Sequence, residues 1–220
     1  KREGQALSAA DSYGKWGFWA PEVYYIESKK KFYMFYSVEE HICVATSTSP
    51  EGPFIQREKK PIVADEKGID TSFFIDDDGT PYLYYVRFTG GNVIWVAEMN
   101  DDLTSIKKET LTKCISATEP WEKKQGTIAE GPSLLKKGNT YYLIYSANHY
   151  ESKDYAVGYA TASSPKGPWT KYSGNPILRR DKEAAKSVGL VGTGHGAPFV
   201  CANGSYKSVS YTHLRAHETL

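Results

Sequence analysis

Apolar residues in this chain come in strand-length runs, and the runs come in threes. Val23–Ile26, Phe32–Ser37 and Ile42–Thr46 make a first set, and Phe73–Ile75, Tyr82–Arg87 and Val93–Glu98 a second. Ser133–Leu135, Tyr141–Ser146 and Ala156–Thr161 make a third, and Pro198–Cys201 opens a fourth. These runs alternate or stay apolar over four to eight positions, as half-buried or buried strands do, and no stretch keeps a helical period over three turns. The predicted class is all-β.

The turns agree with this division. Asp76-Asp77-Asp78-Gly79 and Lys136-Lys137-Gly138-Asn139 lie between first and second strands, and Ala202-Asn203-Gly204 opens the same turn in the fourth set. Asp-Gly and Gly-Asn supply the positive φ angles of tight hairpins. Glu27-Ser28-Lys29-Lys30 fills the slot in the first set without glycine, which predicts a longer turn. Ala45–Phe54 (ATSTSPEGPF) also reappears as Ala160–Trp169 (ATASSPKGPW). In both, a Ser-Pro-x-Gly-Pro reversal leads from a third strand towards a fourth.

Four polar residues mark the starts of the first strands. They are Glu22 after Ala20-Pro21, Asp70 after Gly68-Ile69, Glu130 before Gly131-Pro132, and His195 between Gly194 and Gly196, spaced 48, 60 and 65 residues apart. A recurring unit of about 50 residues with several strands predicts a β-propeller. Equivalent positions of the blades then face one axis, so residues distant in sequence meet. Paired carboxylates meeting in this way are what glycoside hydrolysis needs. One protonated acid serves the leaving oxygen and one ionised base activates a water. The acid holds its proton near neutral pH when a second carboxylate beside it resists joint ionisation.

Composition narrows the partners. Over 220 residues, 27 basic and 26 acidic side chains leave a net charge of +1, which gives no electrostatic case for nucleic acid or an anionic membrane. No apolar run is long enough to span a bilayer as a helix. The 17 Tyr, 8 Phe and 5 Trp suit half-buried strands and are compatible with a sugar cleft. Cys43, Cys114 and Cys201 show no metal spacing and are expected to be buried free thiols. Asp76, Asp77 and Asp78 lack the ligand pattern of a calcium loop and read as an acidic turn.

Taken in order, Trp19-Ala20-Pro21-Glu22, Asp70 ahead of Phe74-x-Asp76-x-Asp78-Gly79, Glu130-Gly131-Pro132 and Gly194-His195 resemble glycoside hydrolase family 43. Each match alone is weak, whereas the ordered set at one-blade spacing is specific. The resemblance covers roughly residues 3 to 207. It implies a five-bladed β-propeller, incomplete in this chain, with most of the first blade and part of the last one missing. It implies an inverting, exo-acting enzyme that removes xylosyl or arabinofuranosyl residues from plant-type glycans or oligosaccharides. Glu130 matches the general acid and Asp70 the carboxylate that orients it and tunes its pKa. Trp19, Phe73 and His195 are carried over as substrate-binding positions. His195 is also a neighbour of a calcium site in some members; no cofactor is required, and calcium is optional.

The family's general base is an aspartate on a strand expected before Lys1, so the chain is expected to lack it and to be nearly inactive alone. Glu22 reads as a marker of blade position rather than a catalyst. The alternative is a propeller that binds carbohydrate without cleaving it. Residues 1–207 are read as the partial catalytic propeller, and 208–220 (SVSYTHLRAHETL from Ser208) as a non-native, adapter-derived tail that removes His213 and His217 from consideration. The compartment is open, with secretion or the periplasm slightly favoured over the cytoplasm, and the oligomeric state is undetermined.

Overall fold

The computed structural model describes residues 4–181, 183 and 189–211. Thirteen strands are present among them: β1 (Phe18–Ile26), β2 (Lys31–Val38), β3 (His41–Ser47), β4 (Gly68–Ile75), β5 (Pro81–Phe88), β6 (Asn92–Glu98), β7 (Thr112–Ile115), β8 (Ala129–Lys137), β9 (Thr140–Ala147), β10 (Ala156–Ala162), β11 (Thr170–Lys171), β12 (Ala197–Val200) and β13 (Tyr206–Val209). They form four sheets, ordered β1-β2-β3, β4-β5-β6-β7, β11-β10-β9-β8 and β12-β13. Helical structure within the strand-bearing parts is limited to four 3-10 turns. The chain is all-β, as its periodicity predicts.

The middle strands are buried on both faces, which is why they read as unbroken apolar runs. In β2, Met34, Tyr36 and Val38 pack with Cys43, Ala45 and Phe54. The alternate residue, Phe35, is fully buried and stacks on Phe73 of β4, with ring centroids 4.9 Å apart. Burying each such ring contributes about 1.5–3 kcal/mol. A buried tyrosine recurs on each middle strand and donates its hydroxyl proton. Tyr36 bonds to Gln56 Oε1 and Tyr85 to Glu66 Oε1, both at 2.9 Å, while Tyr145 bonds to Glu122 Oε1.

Of the duplicated Ser-Pro-x-Gly-Pro segments, the second leads to a fourth strand and the first only to an isolated bridge. After β10 the chain returns as β11, with Ala160 paired to Lys171. After β3 the return is the single bridge Thr46–Ile55. The glycine-free turn after β1 is the 3-10 turn Glu27–Lys29, closed by Lys30 in the left-handed region (φ 51°). Cys43 is buried, but Cys114 and Cys201 are only half-buried, so the expectation of buried thiols holds for one of three. Burial pushes the Cys43 and Cys114 thiols up to about 12.

β13 runs through Ser208 and Val209, and Val209 pairs with Ala197, so regular structure enters the segment read as a tail. Residues 212–220, with His213 and His217, lie outside the described residues. The chain divides into two compact units, 1–85 with 97–110 and 86–96 with 111–220.

Candidate active site

Three of the four marker positions, Glu22, Asp70 and Glu130, lie within strands rather than before them, and His195 stands two residues ahead of β12; all four are at or near left-handed residues. Ala20 (φ 48°), Asp70 (φ 54°), Gly131 (φ 54°) and His195 (φ 52°) are all left-handed. In β1 the pairing register shifts between Trp19 and Glu22, and in β8 between Glu130 and Ser133. Three of these residues are not glycine, and holding each there costs about 1–3 kcal/mol. Aligned on the left-handed residue, Asp70 and His195 are equivalent, Glu130 stands one position earlier and Glu22 two later. What reads as one polar mark in sequence is therefore three different side-chain directions.

The strained residues are held by a repeated device. In the first unit the Asp70 N–H donates to Ser37 Oγ on β2 (3.0 Å). In the second the His195 N–H donates to Ser146 Oγ on β9 (2.6 Å). Both serines are fully buried. A hydroxyl here satisfies the amide of a residue held in the left-handed region.

In the second unit Glu130 is only 8% exposed. Asn92 Nδ2 donates to one carboxylate oxygen and the Tyr155 hydroxyl to the other, each at 2.8 Å. The two partners lie 38 and 25 residues away in sequence. Asn92 is delivered by the Gly90-Gly91 turn. A Cβ on Gly91 would sit 2.1 Å from the Thr127 carbonyl oxygen, so only glycine lets Asn92 bond Thr127 and reach Glu130. His195 joins the same group, because a Cβ on Gly131 would lie 3.3 Å from its ring. A Cβ on Gly194 would lie 2.2 Å from the Tyr155 ring. The glycine before His195 thus lets the backbone approach Tyr155 closely.

In the first unit Asp70 is 4% exposed. Trp19 is half-buried and pairs with Ser37, whose hydroxyl accepts the Asp70 N–H. Phe73 does not join them. It is 5% exposed, stacked on Phe35 and edge-on to Tyr24 (5.4 Å). Expected at a substrate-binding position, Phe73 instead has its ring in the core between β2 and β4.

Glu22, set aside in sequence, is a carboxylate with strongly perturbed surroundings. Its Oε2 accepts from the Tyr24 hydroxyl, which itself accepts the Phe73 N–H at 3.2 Å. Burial pushes the Glu22 carboxyl up to about 7; hydrogen bonds from Tyr24 and Ser72 offset part of this, and the Asp70 charge adds to it. The folded chain thus keeps a proton on Glu22 that the unfolded chain releases near 4.5. This stabilisation is complete below 4.5 and is lost as the pH rises to about 7, by about 1.4 kcal/mol per pH unit. Glu22→Gln, which cannot ionise, is expected to gain about 2–3 kcal/mol relative to the parent between pH 5 and pH 8. Urea titrations at the two pH values measure the difference, and a constant gap would mean that Glu22 ionises as it does in water.

Among the described residues, no group of three or more His, Cys, Asp or Glu side chains is placed to hold a metal. Asn92, Tyr155, Tyr24, Ser37 and Ser146 carry no motif in the sequence; only Glu22 had been marked by the repeat.

The second unit thus holds a buried carboxylate in a two-donor clamp, on a strand whose register shifts. The profile of the glycosyl hydrolases family 43 matches residues 2–219, and the chain belongs to that family. It is 31% identical to the beta-D-galactofuranosidase xynD of Aspergillus niger over 79% of this chain and 48% of that protein. It is 32% identical to the arabinoxylan arabinofuranohydrolase of Bacillus subtilis over 69% of this chain and 33% of that one. The chain spans about half the length, or less, of these curated relatives. Among solved structures, an endo-1,4-beta-xylanase from Bacteroides thetaiotaomicron shares 70% identity and a TM-score of 0.93, over 98% of this chain and 72% of that one.

Proposed function

We propose that this chain is the acid-bearing part of an inverting glycoside hydrolase that releases xylosyl or arabinofuranosyl units from the ends of xylan- or arabinan-type oligosaccharides. The carrying observation is the clamp on Glu130, whose two carboxylate oxygens are fixed by Asn92 and Tyr155. A general acid must present one oxygen to the glycosidic oxygen in a set direction, and a clamp of this kind supplies the direction. Asp70 takes the orienting role that the family resemblance gives it, Trp19 forms a wall of the sugar pocket, and His195 packs beside the acid. We read the four sheets as blades of a five-bladed propeller. The names of the relatives, an arabinofuranohydrolase and a xylanase among them, support a pentose glycan as substrate.

Inversion needs a second carboxylate that activates water, across a gap of about 6.5–9.5 Å from the acid. We assign no residue of this chain to that role, so the 220 residues alone are expected to turn over slowly. The test adds a strand bearing a family-type aspartate at the N-terminus and assays aryl β-xyloside, aryl α-L-arabinofuranoside and linear oligosaccharides. Release of a monosaccharide with inverted configuration supports the reading. Release of internal fragments instead would replace exo by endo action, and no release from a folded protein would sink the proposal.

A further inference from the structure

The connection between β9 and β10, residues 148–155, is fixed at both ends. Asn148 is buried; its Nδ2 donates to the carbonyls of Trp121 (2.8 Å) and Asp154 (3.0 Å), and its Oδ1 accepts the Lys124 N–H (2.9 Å). At the other end Tyr155 holds Glu130. Between them the Ser152 N–H bonds the His149 carbonyl (2.8 Å) and the Tyr155 N–H bonds the Ser152 carbonyl (3.0 Å), so the path is two consecutive turns.

The ladder fixes where this connection leaves the sheet. Ala129 pairs with Ala147 and Glu130 with Ser146, so the chain departs β9 at the end of the sheet that carries Glu130. The first side chains past Asn148 are His149 and Tyr150. Their rings stack, with centroids 4.7 Å apart and planes at 26°, and Tyr150 is 47% exposed. The Tyr150 hydroxyl is pushed up first by burial, then by Glu151, and in part by the charge of Glu130, which places it within the field of that carboxylate. His149 Nδ1 accepts the Glu151 N–H at 3.3 Å, which leaves Nε2 as the ring's donor.

We propose that the His149–Tyr150 ring pair is a stacking platform for the sugar on the leaving-group side of the bond that Glu130 protonates. The ligand class is a neutral pentose oligosaccharide of two or more units. The proposal rests on the reading of Glu130 as the acid. The C–H face of a pyranose or furanose ring packs on an aromatic face, and Nε2–H offers one directional bond to a hydroxyl. Two rings already stacked on a pinned connection lose little freedom on binding, so more of the contact appears as affinity. The turn that presents the platform also ends in the tyrosine that orients the acid, so a sugar seated there has its glycosidic oxygen towards Glu130.

The experiment titrates the 220-residue chain with xylose and xylotriose, then with arabinose and arabinotriose, by calorimetry. His149→Ala/Tyr150→Ala is expected to weaken trisaccharide binding about ten-fold, a usual size for lost aromatic packing, and to leave monosaccharide binding within about two-fold. Tyr150→Phe, which keeps the ring, is expected to retain most of the trisaccharide affinity. Trisaccharide affinity unmoved by the double variant, or an equal loss for both sugars, overturns the platform alone. If the unaltered chain binds neither sugar, the glycosidase reading falls and the platform with it.

Discussion

Glu130→Gln, in protein given an N-terminal strand with a family-type aspartate, is expected to lose about 10²–10⁴-fold in the rate of xylobiose hydrolysis. The variant keeps the shape of the side chain and a carbonyl oxygen for one donor of the clamp, so Asn92 or Tyr155 retains a partner. It loses the transferable proton and the acceptor for the other donor. A dinitrophenyl xyloside, whose leaving group departs without protonation, is then expected to be cleaved almost as fast as by the parent. Steady-state kinetics on the two substrates separate the reading from simple misfolding, because misfolding depresses both. Tyr155→Phe makes the complementary case. It removes one of the two bonds that direct the carboxyl while leaving the proton, so kcat should fall by less than in Glu130→Gln, with KM little changed. Equal loss on both substrates would remove Glu130 from the acid's role.

The second strands of each set were legible in the sequence because burial on both faces leaves an unbroken apolar run. Tyr82–Arg87 in the sequence pattern is Pro81–Phe88 in the fold. The first strands were legible only in their second halves, so Val23 was taken for the start of a strand that begins at Phe18. Bulges and left-handed residues put Gly, Pro and carboxylates inside these strands, and that composition has the local signature of a turn.

The same irregularities hid part of the site. Glu130 could be found because it repeats, but Asn92 and Tyr155 reach it from other elements and leave no local pattern. Phe73 was misassigned because an aromatic residue beside a marked aspartate looks like a pocket wall. Only the packing on Phe35 shows that the ring faces inward. Glu22 was set aside as a spacing mark, because neither its burial nor its hydrogen bonds from Tyr24 and Ser72 can be read from sequence spacing.

The largest loss of stability is expected where, among the described residues, charge is most deeply buried. Glu122 is 0% exposed. Its Oε2 accepts from the N–H groups of Thr118 (2.7 Å) and Glu119 (2.9 Å) and from Lys171 Nζ (2.6 Å), and its Oε1 accepts from the Tyr145 hydroxyl. Lys171 is equally committed, with further bonds at 2.8 Å to the Ser116 carbonyl and Thr118 Oγ1. Glu122→Ala leaves an ammonium group, a phenol and two amides without their acceptor, and is expected to cost about 3–5 kcal/mol. Lys171→Met in the same background removes the orphaned charge, so the double variant should recover part of that loss rather than add to it. Tyr145 immediately precedes Ser146, the residue that holds the His195 amide, so loosening Tyr145 transmits to the strained histidine beside the acid. Denaturant titrations of the two single variants and the double variant measure the coupling. A cost below about 1 kcal/mol for Glu122→Ala, the range of exposed pairs, would mean that water replaces the carboxylate and that the network does not brace β9.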